Sequence, residues 1–357
     1  MDLALSASEI GANSYSEIIL GLPGDSKKKH FNTVKTVIEA GFNNIYLFQL
    51  MLLPGSEMST KESVEKFGME IQYRVLPRCY GKFIAKDEEI VSAEIEQISV
   101  ASNTLPYEDY LTCRYLHLIV TIFYNDGIFS SLLKFLKQKK LSVWRWIELL
   151  KDLKRGNKFN TVCEDFIDAT KNELWDKSND LWKFIKQDGI VKKYIDGELG
   201  NNLLFTYKSM AITNAIDDLA DLAKSATLKL LSENNLDTSI NKEFVQDCVK
   251  YHRHSIKNIF YKFDEATTDN FNFDIKTYLD DQETDDLSKF RFKTKKELKF
   301  ILSEKQIDLI KNFIQTFGDN KVGISRILSR VYVKKLFRFG ILVGSNESIN
   351  SKALTQK

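Results

Sequence analysis

What this chain lacks narrows its chemistry. Cysteine occurs four times, at Cys79, Cys113, Cys163 and Cys248, and no two fall at a CxxC or CxxxCxxC spacing. That excludes a metal or iron–sulfur site encoded in one local segment. The thiols are expected to be small core residues, reduced in a cytoplasmic setting. No basic, apolar leader opens the chain: MDLALSASEIG is short and acidic, so no secretory signal is expected. No apolar run reaches bilayer length. The longest, Tyr115 to Tyr124, contains His117 and Thr121 and is expected to be a buried helix. An excess of one charge is absent too. Lys plus Arg number 51 against 49 Asp plus Glu, a net charge of +2. Such a balance gives no field that would draw nucleic acid or an anionic membrane, so neither is expected as a partner. Proline occurs four times and never after Pro106, which lets long helices run uninterrupted.

What is there is an ordinary globular composition, 43% hydrophobic and 28% charged, over 357 residues, enough for two domains. Residues 16–22 (SEIILGL) form a compact apolar run ending at Gly21, Pro23 and Gly24, as a buried parallel strand and turn would. Asp25 or Ser26 supplies an N-cap, and Phe31, Val34 and Ile38 follow at helical spacing up to Gly41. Residues 44–53 make a second apolar strand that stops at Pro54 and Gly55. Strand, helix and strand are a βαβ unit. Ser59 and Glu62 are placed to form a capping box for a helix ending near Gly68. Residues 71–77 are expected to be extended, and residues 88–102 a helix carrying Ile90, Ile95 and Ile98.

From Pro106 onward the pattern is helical. Leu111, Tyr115, Leu118, Ile119 and Ile122 form one stripe. Further helices are expected at 128–139, 143–154, 160–187, 202–232, 240–261 and 322–337, with a loop over 269–286 and a β element at 290–302. Ser303 and Gln306 are expected to cap a helix reaching Phe317, and residues 346–357 to form a frayed tail. A single parallel strand pair is not a stable domain, so the two strands need neighbours.

One phrase carries a resemblance. SEIILGLPGDS, a helix ending EAGF, NIYLFQLMLLPGSEM, and a segment ending YRVLPRCYGKF follow one another over about residues 10–83. This is similar to the last two strands of radical S-adenosylmethionine (SAM) enzymes, above all the cobalamin-binding subgroup. There the fifth strand reads like xExIxGLPGET and the sixth ends like LxLLPGTxL. The resemblance implies a fold that is α/β plus mainly α: the last βαβ unit of a partial (β/α)6 barrel over residues 1–100, then a large helical domain over 101–345. In the family, a cluster bound by CxxxCxxC cleaves SAM to a 5′-deoxyadenosyl radical. By resemblance, Ile19, Gly21 and Leu22 on the first strand, with Gln49, Leu50 and Leu52 on the second, contribute to the SAM adenine site. Asp25 stands where the family has Glu. The 4Fe-4S cluster and cobalamin belong to the complete enzyme, since this chain lacks the cysteine motif and shows no first four strands. The chain is therefore expected to be a fragment or split half of a radical SAM enzyme, inactive alone. Its expected partners are an N-terminal half carrying CxxxCxxC and a small-molecule substrate. The alternative is a non-catalytic helical scaffold keeping a relic βαβ unit.

Two other constellations are expected to be structural. Asp217, Asp218 and Asp221 spell DDxxD, but an apolar stripe beside them makes them a wet helix face. His252 and His254, two residues apart on a helix, point away from each other and cannot share a metal. They remain candidates to face a substrate cavity with Tyr251 and Arg253. His117, on an apolar stripe, is expected to be a satisfied core histidine.

Overall fold

The computed structural model describes residues 14–86, 88–263, 265–281, 284–331 and 333–344. The expectations for the first thirteen residues and for the tail at 346–357 lie outside the described residues. The chain divides into two compact units, each built from two stretches: residues 1–118 with 163–207, and residues 119–162 with 208–357.

The first unit opens with the expected βαβ unit. β1 (Tyr15–Leu20) and β2 (Asn44–Gln49) pair in parallel, with Tyr15 opposite Asn44 and Leu20 opposite Gln49. Between them runs α1 (Lys27–Glu39), whose N-cap Ser26 accepts the Lys29 N–H. His30, Val34 and Ile38 face inward every fourth residue. Gly41, at φ +81°, closes the helix. α2 (Lys61–Phe67) is capped by Thr60, one residue later than expected, because Thr60 Oγ1 accepts the Ser63 N–H at 3.2 Å. Gly68 ends it at φ +57°.

A long antiparallel hairpin follows, β3 (Glu70–Ala85) and β4 (Glu88–Ala101). The helix expected over residues 88–102 is thus a strand. Val91, Ala93 and Ile95 repeat with period two and pack beside Val75 and Tyr73, whereas Ile90 is exposed. Register slips between Val75 and Tyr80, so that Leu76, Pro77, Arg78 and Cys79 bulge, a place that tolerates proline. The hairpin also answers the need of β2 for a neighbour. Leu52 N donates to Gln97 O at 2.9 Å and Ser99 N donates to Leu50 O at 3.0 Å, so β4 runs beside the continuation of β2. Among the described residues, no strand pairs with the outer edge of β1.

α3 (Tyr107–Phe123) and α6 (Asn157–Asn172) each pass from one unit to the other. The helix expected over 160–187 breaks after α6 and resumes as α7 (Ser178–Ile185). Between them, Trp175 and Tyr73 exchange two backbone hydrogen bonds of 2.8 Å, which extends the edge of β3. α8 (Ile190–Asp196) packs Val191 and Tyr194 against the hairpin, and α9 (Leu203–Asn214) leads out of the unit.

The second unit is mainly helical: α4 (Ser130–Gln138), α5 (Val143–Asp152), α10 (Ile216–Glu233) and α11 (Ser239–Ile256). Phe123 sits against Phe129, Trp146 and Phe159, and Trp146 Nε1 donates to Thr227 Oγ1 at 3.0 Å. The region expected as a loop over 269–286 holds β5 (Thr267–Phe273) and α12 (Ile275–Asp280). Its acidic composition hid a period-two pair, Phe271 and Phe273, both fully buried. β6 (Arg291–Ile301) is the expected β element. α13 (Glu304–Phe317) starts at the expected capping box of Ser303 and Gln306. The last expected helix is shorter: α14 (Lys321–Leu328) gives way to a turn at Val333–Leu336 and to β7 (Phe339–Leu342), which pairs with β6. The strand begins only beyond the end of the expected helix, at Phe339. Among the described residues, no single helix is long and apolar enough to cross a membrane.

Candidate binding site at the end of the first strand

The turn from β1 into α1 is Gly21-Leu22-Pro23-Gly24-Asp25. Gly21 has φ +92° and Gly24 φ +76°. A Cβ on Gly21 would meet Ser99 O at 3.7 Å and Leu50 Cβ at 3.8 Å, ordinary contacts. Glycine is therefore required by the backbone angle, not by space. Asp25 ties the turn shut. Its N–H donates to Leu22 O at 2.9 Å, and its carboxylate accepts Gly21 N–H at 3.2 Å and Ser26 N–H at 2.8 Å. Burial works to raise the Asp25 carboxyl, but hydrogen bonds from His30 and Gly21 outweigh it and hold the group below its ordinary value.

The two faces of the parallel pair differ. Ile18, Leu20, Ile45 and Leu47 are buried on the α1 side. On the other face Tyr15 is 63% exposed, Ile19 42%, Tyr46 43% and Phe48 48%, with Tyr15 and Tyr46 in edge contact at 5.8 Å. A parallel pair normally has both faces covered; here this face is apolar and partly exposed, and among the described residues no strand pairs with the edge of β1. Leu22, also exposed, stands at the end of this face.

The six expected adenine-site residues separate here. Ile19 and Leu22 are exposed on the first strand and its turn, and Gly21 between them is buried. Leu50 and Leu52 are buried in a cluster with Met69. Gln49 is held at both ends of its amide: Nε2 donates to the Tyr110 hydroxyl, and Oε1 accepts Arg74 at 3.0 Å. Arg74 is the centre of a polar cluster that the sequence did not announce. It pairs with Glu96 through Nε and with Glu173 through NH1 at 2.7 Å. Burial disfavours its charge, but the carboxylates of Glu173 and Glu96 outweigh that and raise its pKa. The partners lie 22 and 99 positions away, so no spacing signal exists.

A second buried array runs below the turn. His30 Nδ1 is 3.5 Å from Asp25 Oδ2, and its Nε2 is 2.7 Å from His117 Nε2. His117 Nδ1 in turn lies 3.5 Å from Arg114 NH1. His30, Arg114 and His117 are all buried. His117 is a satisfied core histidine, as expected, and its partner 87 positions away was not foreseeable. Burial first, then its neighbours His30 and Arg114, push His117 well below its ordinary value.

Elsewhere each aspartate of DDxxD has a separate partner. Asp217 meets Lys257 at 2.9 Å and Arg253 at 2.5 Å, Asp218 accepts Phe159 N–H at 2.9 Å, and Asp221 meets Lys224 at 3.3 Å. His252 accepts Ser131 N–H at Nε2 while His254 faces Thr267 and Asp269, so the two point apart as expected.

No protein-family model matches the chain. A cobalamin-dependent radical SAM methyltransferase from Streptomyces tokunonensis, TokK, is 24% identical over 148 residues, 40% of this chain and 21% of TokK. The chain is thus distantly and partially related to a radical SAM enzyme, and the matched part spans about a fifth of that relative's length. An iron–sulfur cluster does not fit the residues present. Among the described residues, no group of three or more His, Cys, Asp or Glu is placed to hold a metal. Burial pushes the Cys113 thiol up to about 12, far from a thiolate ligand.

Proposed function

We propose that this chain supplies the closing βαβ unit of a radical SAM barrel, with a mainly helical remainder that covers the substrate. Such a barrel also needs a cysteine motif, which this sequence does not contain, and earlier strands to pair with β1. The observation that supports this most is the open apolar face of β1 and β2 beside the Gly21–Asp25 turn. A partial barrel presents such a face inward and pairs the free edge of β1 with a fourth strand. Ligands of parallel α/β folds bind outside the carboxyl ends of the strands, where Gly21 and Leu22 stand. Ile19, Gly21 and Leu22 are the contacts offered to the SAM adenine. Gln49, Leu50 and Leu52 hold the second strand in place behind them. The use of cobalamin is carried over from the resemblance and from the relative's description.

The test is a SAM titration of the isolated chain, followed through the backbone amide signals of residues 19–25. A third of a site is expected to bind at about millimolar strength, worth roughly 4 kcal/mol. Shifts confined to Ile19, Gly21 and Leu22, and lost in Ile19→Asp, support the reading. No shift at several millimolar SAM overturns it and leaves a helical scaffold with a relic βαβ unit.

A further inference from the structure

Taking the Arg114 contact with His117 as a hydrogen bond sets the direction of the buried histidine array. Arg114 carries donors alone, so the lone pair it meets must be on His117 Nδ1. A neutral His117 then bears its proton on Nε2 and points it at His30, 2.7 Å away. His30 must accept there, which places its own proton on Nδ1, facing the Asp25 carboxylate at 3.5 Å. Donors therefore run in one direction, from Arg114 through His117 and His30 to Asp25. The carboxylate at the end accepts the N–H groups of Gly21 and Ser26. The Thr104 hydroxyl adds a bond to Asp25 O at 2.5 Å. Reversing either ring sets two N–H groups against each other, or a ring N–H against the guanidinium, inside a dry interior.

We infer that His30 and His117 are positioning residues for the Gly21–Asp25 turn: they transmit the orientation of Arg114 on α3 to Asp25, and so fix the backbone that faces the bound nucleoside. The ligand part of this inference rests on the proposed SAM site; the chain of donors does not. The two rings join the buried Arg114 guanidinium to the half-buried Asp25 carboxylate, and each polar atom facing along the array is paired. Arg114 Nε, pointing elsewhere, has no hydrogen-bond partner. Its guanidinium carbon lies 5.5 Å from the centre of the Phe166 ring, which contributes a cation–π contact. This cation is thus held by a ring and by the histidine relay.

The test compares two substitutions of similar size. In His117→Gln, the amide oxygen accepts from Arg114 and the amide N–H donates to His30, so the direction of donors survives. In His117→Phe, volume and apolarity survive and the donors are lost. Nitrogen-15 spectra of the wild-type side chains are expected to show His30 protonated on Nδ1 and His117 on Nε2. Hydrogen exchange at Gly21 and Ser26 is expected to quicken at least tenfold in His117→Phe and to stay near wild type in His117→Gln. SAM affinity measured on the same proteins should follow that order. A packing role predicts the reverse order. The opposite tautomers, or unchanged exchange at Gly21 in folded His117→Phe, overturn the inference. Absence of SAM binding with the expected tautomers and exchange order overturns only the proposed site.

Discussion

Removing Arg74 is the sharpest perturbation of the first unit. Its guanidinium joins Gln49 on β2, Glu96 on β4 and Glu173 at the end of α6, with both carboxylate side chains largely buried. Arg74→Met keeps most of the stem's volume and deletes the charge. Two carboxylates and the Gln49 carbonyl oxygen then lose their partner in a place water reaches poorly. Breaking a buried ion pair by removing one partner costs about 3–5 kcal/mol. At about 3 kcal/mol, opening of the hairpin rises roughly 150-fold. Hydrogen exchange read on peptides over 70–75 and 170–176 isolates this unit, because Tyr73 and Trp175 exchange backbone hydrogen bonds there. An internal control is Lys61→Ala, which removes a 3.5 Å pair with Glu65 between exposed side chains. That change is expected to cost under about 0.5 kcal/mol. Adding Glu96→Gln and Glu173→Gln to Arg74→Met should recover much of the loss, since the stranded charges are gone. An Arg74→Met protein within about 1 kcal/mol of wild type, with unchanged protection on both peptides, would refute the reasoning.

Two further outcomes are expected. Gly21→Ala should destabilise by about 1–2 kcal/mol through its φ of +92°, with no steric penalty because the added methyl meets nothing closer than 3.7 Å. Urea denaturation checks this, and a loss above about 4 kcal/mol would point to a clash instead. His252 is pushed down to about 3 by burial, with the charge of Lys334 adding to it. Its native form is neutral, so its contribution is fully present above the unfolded value near 6.5 and is lost as pH falls below it, at about 1.4 kcal/mol per pH unit. Between pH 7 and pH 5 the wild type should lose about 2 kcal/mol more than His252→Gln; equal losses in the two proteins would contradict this.

Local signals were readable where the local segment settles its own structure. The βαβ unit is an example, because its strands are continuous apolar runs and its helix carries a cap, an inward row every fourth residue and a closing glycine. The Ser303–Gln306 capping box is another, since both partners lie within one turn. Errors arose where a distant strand decided. Residues 88–101 carry isoleucines at spacings that suit a helix or a strand, and pairing with β3 selects the strand. The break between α6 and α7 exists because Trp175 bonds to Tyr73. The acidic stretch after Asp269 reads as a loop until Phe271 and Phe273 are seen to share one buried face.

By itself, the sequence determined the βαβ unit, its glycine-bearing turn and the absence of a local cluster motif, because each depends on residues adjacent in the chain. Only the tertiary structure decided which turn residues are offered to solvent and which are taken into the interior. Ile19 and Leu22 are exposed, whereas Gln49 is bound to Arg74 and Tyr110 from other elements. The same holds for His30 and His117. Each alone is a histidine on a helix, and the direction of their protons follows only once packing has set two nitrogens 2.7 Å apart. Hydrogen bonds between buried groups are strong and directional, but no short-range pattern records them when the partners come from distant parts of the chain.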